Sequence, residues 1–433
     1  MQPIPELLQA CVAAPEDDAP RLAWAEAIGG ERGELVRIQC ELERGGLERG
    51  RAIAHRRRES ELLATREREW AALDGLAEGS IFRRGFVDEA IVDARTFAEK
   101  GETLFGAAPL LRRVDFSGLQ DSAPDEIVRR LDAVLGSPFF ARLFCVRLEE
   151  IGGVVETDSD TRRRDFQAAG SEALARLIER KALRSLGSLE LPRCALSSSD
   201  VGKLAACRDA AGLRELNLRH QEVDRYVGIY SSDVQAILDS PNLAALEALD
   251  VAGALGRFVW VGGQSRTERA EAARKQSKRD PAFLSHPRVL ALRRLGIAYS
   301  GFADEMIDAL AGAPFQRLEW LDLSRNDVFP EDFQRIGASP GYDRLVELVF
   351  DGPSKYTFGA KIAEALGAVQ RLGALRVLRL RNCGMNEATA QILLASPLAQ
   401  RLELIDLRKN RDVAKAGDKL GKAFDGILLL DKP

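Results

Sequence analysis

The side chains best suited to proton transfer, nucleophilic attack or metal ligation near neutral pH are three histidines and six cysteines: His55, His220, His286, Cys11, Cys40, Cys145, Cys194, Cys207 and Cys383. Metal and redox chemistry needs such groups at short, fixed spacings. Here no two cysteines form a C-x-x-C, and the histidines fall in separate segments. Asp158 and Asp160 lack the glycine and distal glutamate of a calcium loop and run into Arg162, Arg163 and Arg164, which reads as a solvated charged loop. Gly262 and Gly263 before Gln264 and Ser265 are too short for a phosphate loop, and there is no G-x-x-x-x-G-K-[ST], H-E-x-x-H or G-x-S-x-G run. The expectation is a protein without catalytic residues, metal or cofactor, its cysteines reduced. What remains is the chemistry of recognition, carried by aromatic and arginine side chains.

The elements that would position those side chains are repeated. In residues 318–326, Leu318, Leu321, Leu323 and Asn326 stand at L-x-x-L-x-L-x-x-N: a short strand with one buried face, then an asparagine able to satisfy loop backbone groups. The second apolar position recurs as Val114, Val146, Leu189, Leu216, Leu249, Leu295, Leu321, Leu348, Leu378 and Ile405, a period of 26–30 residues broken by two longer units. Prolines 109, 138, 241, 287, 314, 340 and 397 precede most of these positions by 7 or 8 residues, where a helix must stop before the next strand. Each unit therefore predicts a strand, a loop and a helix, and one unit alone cannot bury its apolar face. Cys194 and Cys383 stand where sister units carry Asn326 and Asn410, which predicts a structural role.

These motifs resemble leucine-rich repeats of the ribonuclease-inhibitor type. The resemblance implies an α/β solenoid of about 10–11 units over residues 81–433, a horseshoe with parallel strands inside and helices outside. The extra residues of the two long units fall near 152–170 and 254–279, between strand and helix, and so build one rim. Side chains flanking the buried leucines face the concavity, giving Tyr299, Trp320, Asp322, Arg325, Arg379, Arg381 and Arg408 as candidate partner contacts. Tyr226, Tyr230, Trp260, Arg274, Lys275, Lys278 and Arg279 are the candidates on the rim. Residues 257–288 hold eight basic and three acidic side chains, a local patch that could meet an acidic partner or a phosphate backbone. Residues 426–430 read as a last strand closing the apolar end of the solenoid.

Residues 1–80 read as a small all-α module: helices over 4–14, 21–28 and 33–44, and a longer one over 51–76. The run Pro15-Glu-Asp-Asp-Ala-Pro-Arg-Leu-Ala-Trp-Ala-Glu26, then Gly33-Glu-Leu-Val-Arg-Ile-Gln39, resembles the repeat-companion domain of bacterial leucine-rich-repeat proteins. That family supplies no catalytic residue. Hydrophobic residues at 45% and charged ones at 30% predict a folded, soluble chain, and the net charge of −4 gives no global pull toward nucleic acid or membrane. Without an apolar run of membrane-spanning length or a signal-like start, the expected location is the cytoplasm. The expected function is a non-enzymatic scaffold binding a protein partner through the concave sheet and the rim. Two alternatives stay open: regulation of a partner enzyme in trans, as inhibitor or GTPase activator, and nucleic-acid binding through the basic segment.

Overall fold

The computed structural model describes residues 4–120, 124–151, 160–220, 229–253, 281–300, 304–326, 330–352, 359–369, 371–414 and 428–429. They form two compact units, Met1–Cys194 and Ala195–Pro433.

The first unit opens with four helices, α1 (Ile4–Ala13), α2 (Asp18–Ile28), α3 (Gly30–Arg44) and α4 (Arg49–Ala71). Asp17 caps α2 by accepting from the Ala19 amide, so the helix starts three residues before the expected Arg21. Pro20 lies in its first turn, where a missing N–H costs nothing. Only Gly29, at φ 64°, separates α2 from α3. Helix α4 ends at Ala71 rather than Leu76, because Ala72 adopts the left-handed conformation that closes a helix.

Two strands follow, β1 (Gly79–Arg83) and β2 (Phe86–Asp93), paired antiparallel. Arg84 and Gly85 both have positive φ, the requirement of a two-residue hairpin turn whose twist matches its strands. Phe86 begins the first strand of the repeat series, and a hairpin partner that the repeat pattern does not contain covers its outer edge. The turn is held from α3: the buried Gln39 accepts from the Gly85 amide at 2.6 Å and donates to the Phe82 carbonyl at 3.3 Å. Three parallel strands continue from β2: β3 (Arg113–Ser117), β4 (Cys145–Arg147) and β5 (Ser188–Glu190). Helices Ala94–Ala107, Pro124–Gly136 and Asp160–Glu179 alternate with them, and the last of these takes in residues 160–170 of the first long unit. Phe97 packs edge-on against Phe116 at 5.1 Å, joining helix to strand, and Phe105 of the same helix stacks on Phe139 at 5.3 Å.

The second unit repeats the pattern in eight parallel strands: β6 (Glu215–Asn217), β7 (Ala248–Asp250), β8 (Arg294–Gly296), β9 (Trp320–Asp322), β10 (Glu347–Val349), β11 (Val377–Arg379), β12 (Leu404–Asp406) and β13 (Leu428–Leu429). The expected ruler is the observed register. Leu216, Leu249, Leu295, Leu321, Leu348, Leu378 and Ile405 pair in sequence, as do Val114, Val146 and Leu189 in the first unit. All ten are at most 4% exposed, so each withdraws its side chain from water at a gain of roughly 1.5–3 kcal/mol. The closing strand also forms, Leu428 pairing with Ile405. Prolines at 241 and 340 open single 3₁₀ turns that end the helices and feed the next strands.

The asparagine position is a ladder running backward through the repeats. Asn326 donates to Ile297 of the preceding repeat at 2.9 Å and to Leu323 at 3.1 Å, and accepts from the Ser300 amide at 2.8 Å. Asn410 makes the corresponding bonds to Leu380, Leu407, Cys383 and Met385. The cysteines continue the ladder with a donor alone: Cys383 Sγ lies 3.1 Å from the Phe350 carbonyl and Cys194 Sγ 2.9 Å from that of Leu148. Burial pushes both thiols up to about 12, which keeps them protonated and able to donate. These are leucine-rich repeats, and where the position holds Asn326, Asn410, Cys194 or Cys383, one buried polar side chain ties a repeat to the one before it.

Candidate binding face of the second unit

On the strands of the second unit, the residues before and after each central leucine form two rows. The first runs Arg294, Trp320, Glu347, Val377, Leu404; the second runs Gly296, Asp322, Val349, Arg379, Asp406.

In the first row the guanidinium of Arg294 lies 4.9 Å from the ring centre of Trp320, on the adjacent strand. Trp320 is half-buried. Its indole is therefore fixed by a cation on one side while part of it still meets solvent, which makes a rigid amphipathic anchor. Alignment on the ruler would have shown Arg294 beside Trp320, since both immediately precede the central leucine.

The second row ends in an arginine fan. Asp406 is fully buried and accepts from Arg408 Nε at 2.9 Å and Nη2 at 2.6 Å, with Arg379 Nη1 at 3.6 Å and Arg381 Nε at 3.9 Å. Burial acts to raise the Asp406 carboxyl, yet the Arg408 hydrogen bonds and the neighbouring positive charge bring it below the usual aspartate value. Arg379 also pairs with Glu347 at 2.5 Å and Arg381 with Asp351 at 2.7 Å. The three guanidiniums keep 30–41% of their side-chain surface. They are held in place without being consumed, the arrangement that lowers the ordering cost of a further contact.

Asp322 differs. It is 3% exposed, and Arg219 spans it and Asp250 at 3.8 and 3.6 Å. Gly296 leaves room for this, since a β-carbon there would stand 2.5 Å from the Asp250 carboxylate. Burial, reinforced by Asp250, pushes the Asp322 carboxyl up to about 6 from 3.8. Between those values the folded state holds a proton that the unfolded chain lacks, so stability falls as pH rises through that window. Asp322→Asn is expected to abolish its share of this slope, on the order of 2 kcal/mol between pH 4 and 7. Urea unfolding of both proteins at pH 4.5, 5.5 and 7 checks it; parallel pH profiles would contradict the assignment.

Tyr299 and Arg325 lie just past their strands rather than on them. Both adopt positive φ, 52° and 56°, as do Asn382 and Lys409 at the same place in later repeats. This left-handed residue directly precedes the ladder position and turns the chain toward the helix. Arg325 is exposed there, and Tyr299 is half-buried with its ring 6.1 Å from that of His220. Glycine marks this place in two other repeats, Gly118 and Gly253, both at positive φ, but Tyr299 and Arg325 carry no such sign in their own residue type. Of the rim candidates, Tyr230 caps the helix Ser231–Asp239, its amide donating to Asp233 at 2.8 Å. Tyr226, Trp260, Arg274, Lys275, Lys278 and Arg279 lie outside the described residues. Elsewhere, His55 sits 2.8 Å from Glu41, and His286 caps its own helical turn through the Arg288 amide. Among the described residues no group of three or more histidine, cysteine or acidic side chains is arranged to hold a metal, and no helix is long and apolar enough to cross a membrane.

No family model matches the chain, and no curated protein does. Among solved structures it is similar to Rad7 in the yeast Rad7–Elc1 complex, at 17% identity over 78% of this chain and 81% of that one, TM-score 0.45. LegL7, a leucine-rich-repeat-containing protein of Legionella pneumophila, is similar at 16% identity over 71% of this chain and 89% of its own, TM-score 0.39. A Bacteroides fragilis protein is similar at 13% identity over 68% and 73%, TM-score 0.35.

Proposed function

We propose that the chain is a non-catalytic scaffold that holds a protein partner against the strand rows of its second unit. One observation carries this reading: an anchored, half-buried tryptophan shares a sheet face with three guanidiniums fixed around a buried aspartate. Aromatic and arginine side chains supply most hot spots of protein interfaces, and here both types are preorganised. The guanidiniums select carboxylates on the partner, while Trp320 takes an apolar side chain. Arg325, exposed at the strand-exit turn, extends the face toward the rim.

Trp320→Ala combined with Arg325→Glu tests it. Both side chains keep solvent access, so the fold should survive the exchange. Captured from its own cells beside the unaltered chain, the double variant is expected to lose at least one protein partner by about 10- to 100-fold, the loss of one hot spot. Undiminished recovery of every partner would set the proposal aside.

A further inference from the structure

The helical part of the first unit buries guanidinium donors that the chain leaves without hydrogen-bond partners. The Phe86 ring packs against Trp24 at 4.8 Å, and two guanidiniums lie on it, Arg21 at 5.4 Å and Arg32 at 5.7 Å. Arg32 is further enclosed by Phe82 at 4.9 Å and Trp70 at 5.1 Å. Arg21 is 3% exposed and spends one nitrogen on the Pro15 carbonyl. Its Nε and Nη1, the Trp24 Nε1 and the Arg32 Nη1 are buried without a hydrogen-bond partner, and neither arginine makes an ion pair among the described residues.

Several other arginines of these helices are paired. Arg58 meets Glu34 and Arg66 meets Glu31, while Asp18, on the helix of Arg21, is taken up by Arg44 and Arg84. The two against Phe86 stand apart. Burial depresses both, Arg32 to about 10, with no neighbouring carboxylate acting on Arg32. A buried, unpaired cation costs several kcal/mol, and an aromatic collar returns only part of that. The unmet atoms of Arg21, Trp24 and Arg32 are all donors, so what these three lack is an acceptor of negative charge; Asp18 Oδ1, also buried without a hydrogen bond, faces Arg84 instead.

We infer that Arg32 in its collar of Trp70, Phe82 and Phe86, backed by Arg21 and Trp24, is a receptor for a small oxyanion, carboxylate or phosphate, that the chain does not supply. Arg32 and Trp70 are only half-buried, which leaves the approach on their side. A planar guanidinium offers the paired donors that either anion accepts, and the low-polarity collar strengthens the bond.

The test follows thermal unfolding of the full chain in sodium phosphate and in sodium acetate, against sodium chloride at equal ionic strength. Binding predicts a saturable rise of the first unit's midpoint by roughly 2–4 °C. Phosphate alone, acetate alone, or both raising it identifies the anion. Arg32→Met, which removes the charge and keeps the volume, is expected to lose the response while its midpoint in chloride stays level or rises. Should that variant misfold, the anion-dependent shift of the Arg32 guanidinium ¹H–¹⁵N resonance in the unaltered protein gives the same reading. No response to either anion, or a full response in Arg32→Met, overturns the inference.

Discussion

Asn410→Ala is expected to destabilise the last repeats by about 3–5 kcal/mol, the largest loss from any single polar side chain of the ladder. The side chain is 1% exposed and satisfies four backbone groups: it donates to Leu380 and Leu407, each at 2.8 Å, and accepts from Cys383 at 2.8 Å and Met385 at 3.1 Å. Alanine leaves all four buried and unmet, and each such group costs about 1–3 kcal/mol before relaxation. Asn410→Cys should cost less, because a thiol can still donate backward, as Cys383 does to Phe350. Repeats couple to their neighbours, so the loss should be local as well as global. Amide exchange at Leu407, whose N–H bonds to Leu429 at 3.0 Å, should accelerate along with the drop in urea midpoint. An alanine variant within 1 kcal/mol of the parent would contradict the ladder's role.

Asp406→Ala comes next, at about 2–4 kcal/mol. Removing one partner from a buried pair normally costs about 3–5 kcal/mol, since the other charge is stranded. Here the three arginines keep solvent access and two have second partners, Glu347 and Asp351, so part of the charge can turn to water. What cannot be recovered is the focus of the fan. The wild-type contribution also has a defined pH sense: with its folded-state pKa lowered, Asp406 stabilises above the usual aspartate value and loses that share as pH falls through the folded-state value. Guanidinium unfolding at pH 7 and at pH 3 separates the two proteins. The gap should narrow in acid, and a gap that widens would refute the arrangement.

The repeat register was open to reading because one side-chain type at one position decides it. A leucine, or in three strands Val114, Val146 or Ile405, pointing into the core at one position leaves a period, and the prolines that end the helices leave a second with the same phase. The asparagine and cysteine positions followed from the same phase, three residues beyond the second leucine. What lay hidden depends on neighbours distant in sequence or on backbone conformation. Gly79–Arg83 is too short and too mixed to declare a strand, and it exists because Gln39 and the Arg84-Gly85 turn hold it. The left-handed place carries glycine in two repeats, Gly118 and Gly253, but not at Tyr299, Arg325 or Lys409, where the residue type gives no sign of it. Arg219 reaches Asp322 because Gly296, which looks like an ordinary gap in the pattern, leaves the row open between them. Trp320 was legible as a candidate, but its anchoring by Arg294 and the burial of Asp322 were not.

The central claim is that a protein partner sits on the strand rows of the second unit. Photo-crosslinking in living cells tests it most directly, with a crosslinking residue at Arg325 or at the exposed Val346 beside β10, and separately at the exposed Gln334 on the helix Pro330–Ala338 as the control. The account predicts one discrete protein adduct from Arg325 and Val346 and none from Gln334. Adducts from Gln334 alone would place the partner on the helices and contradict it.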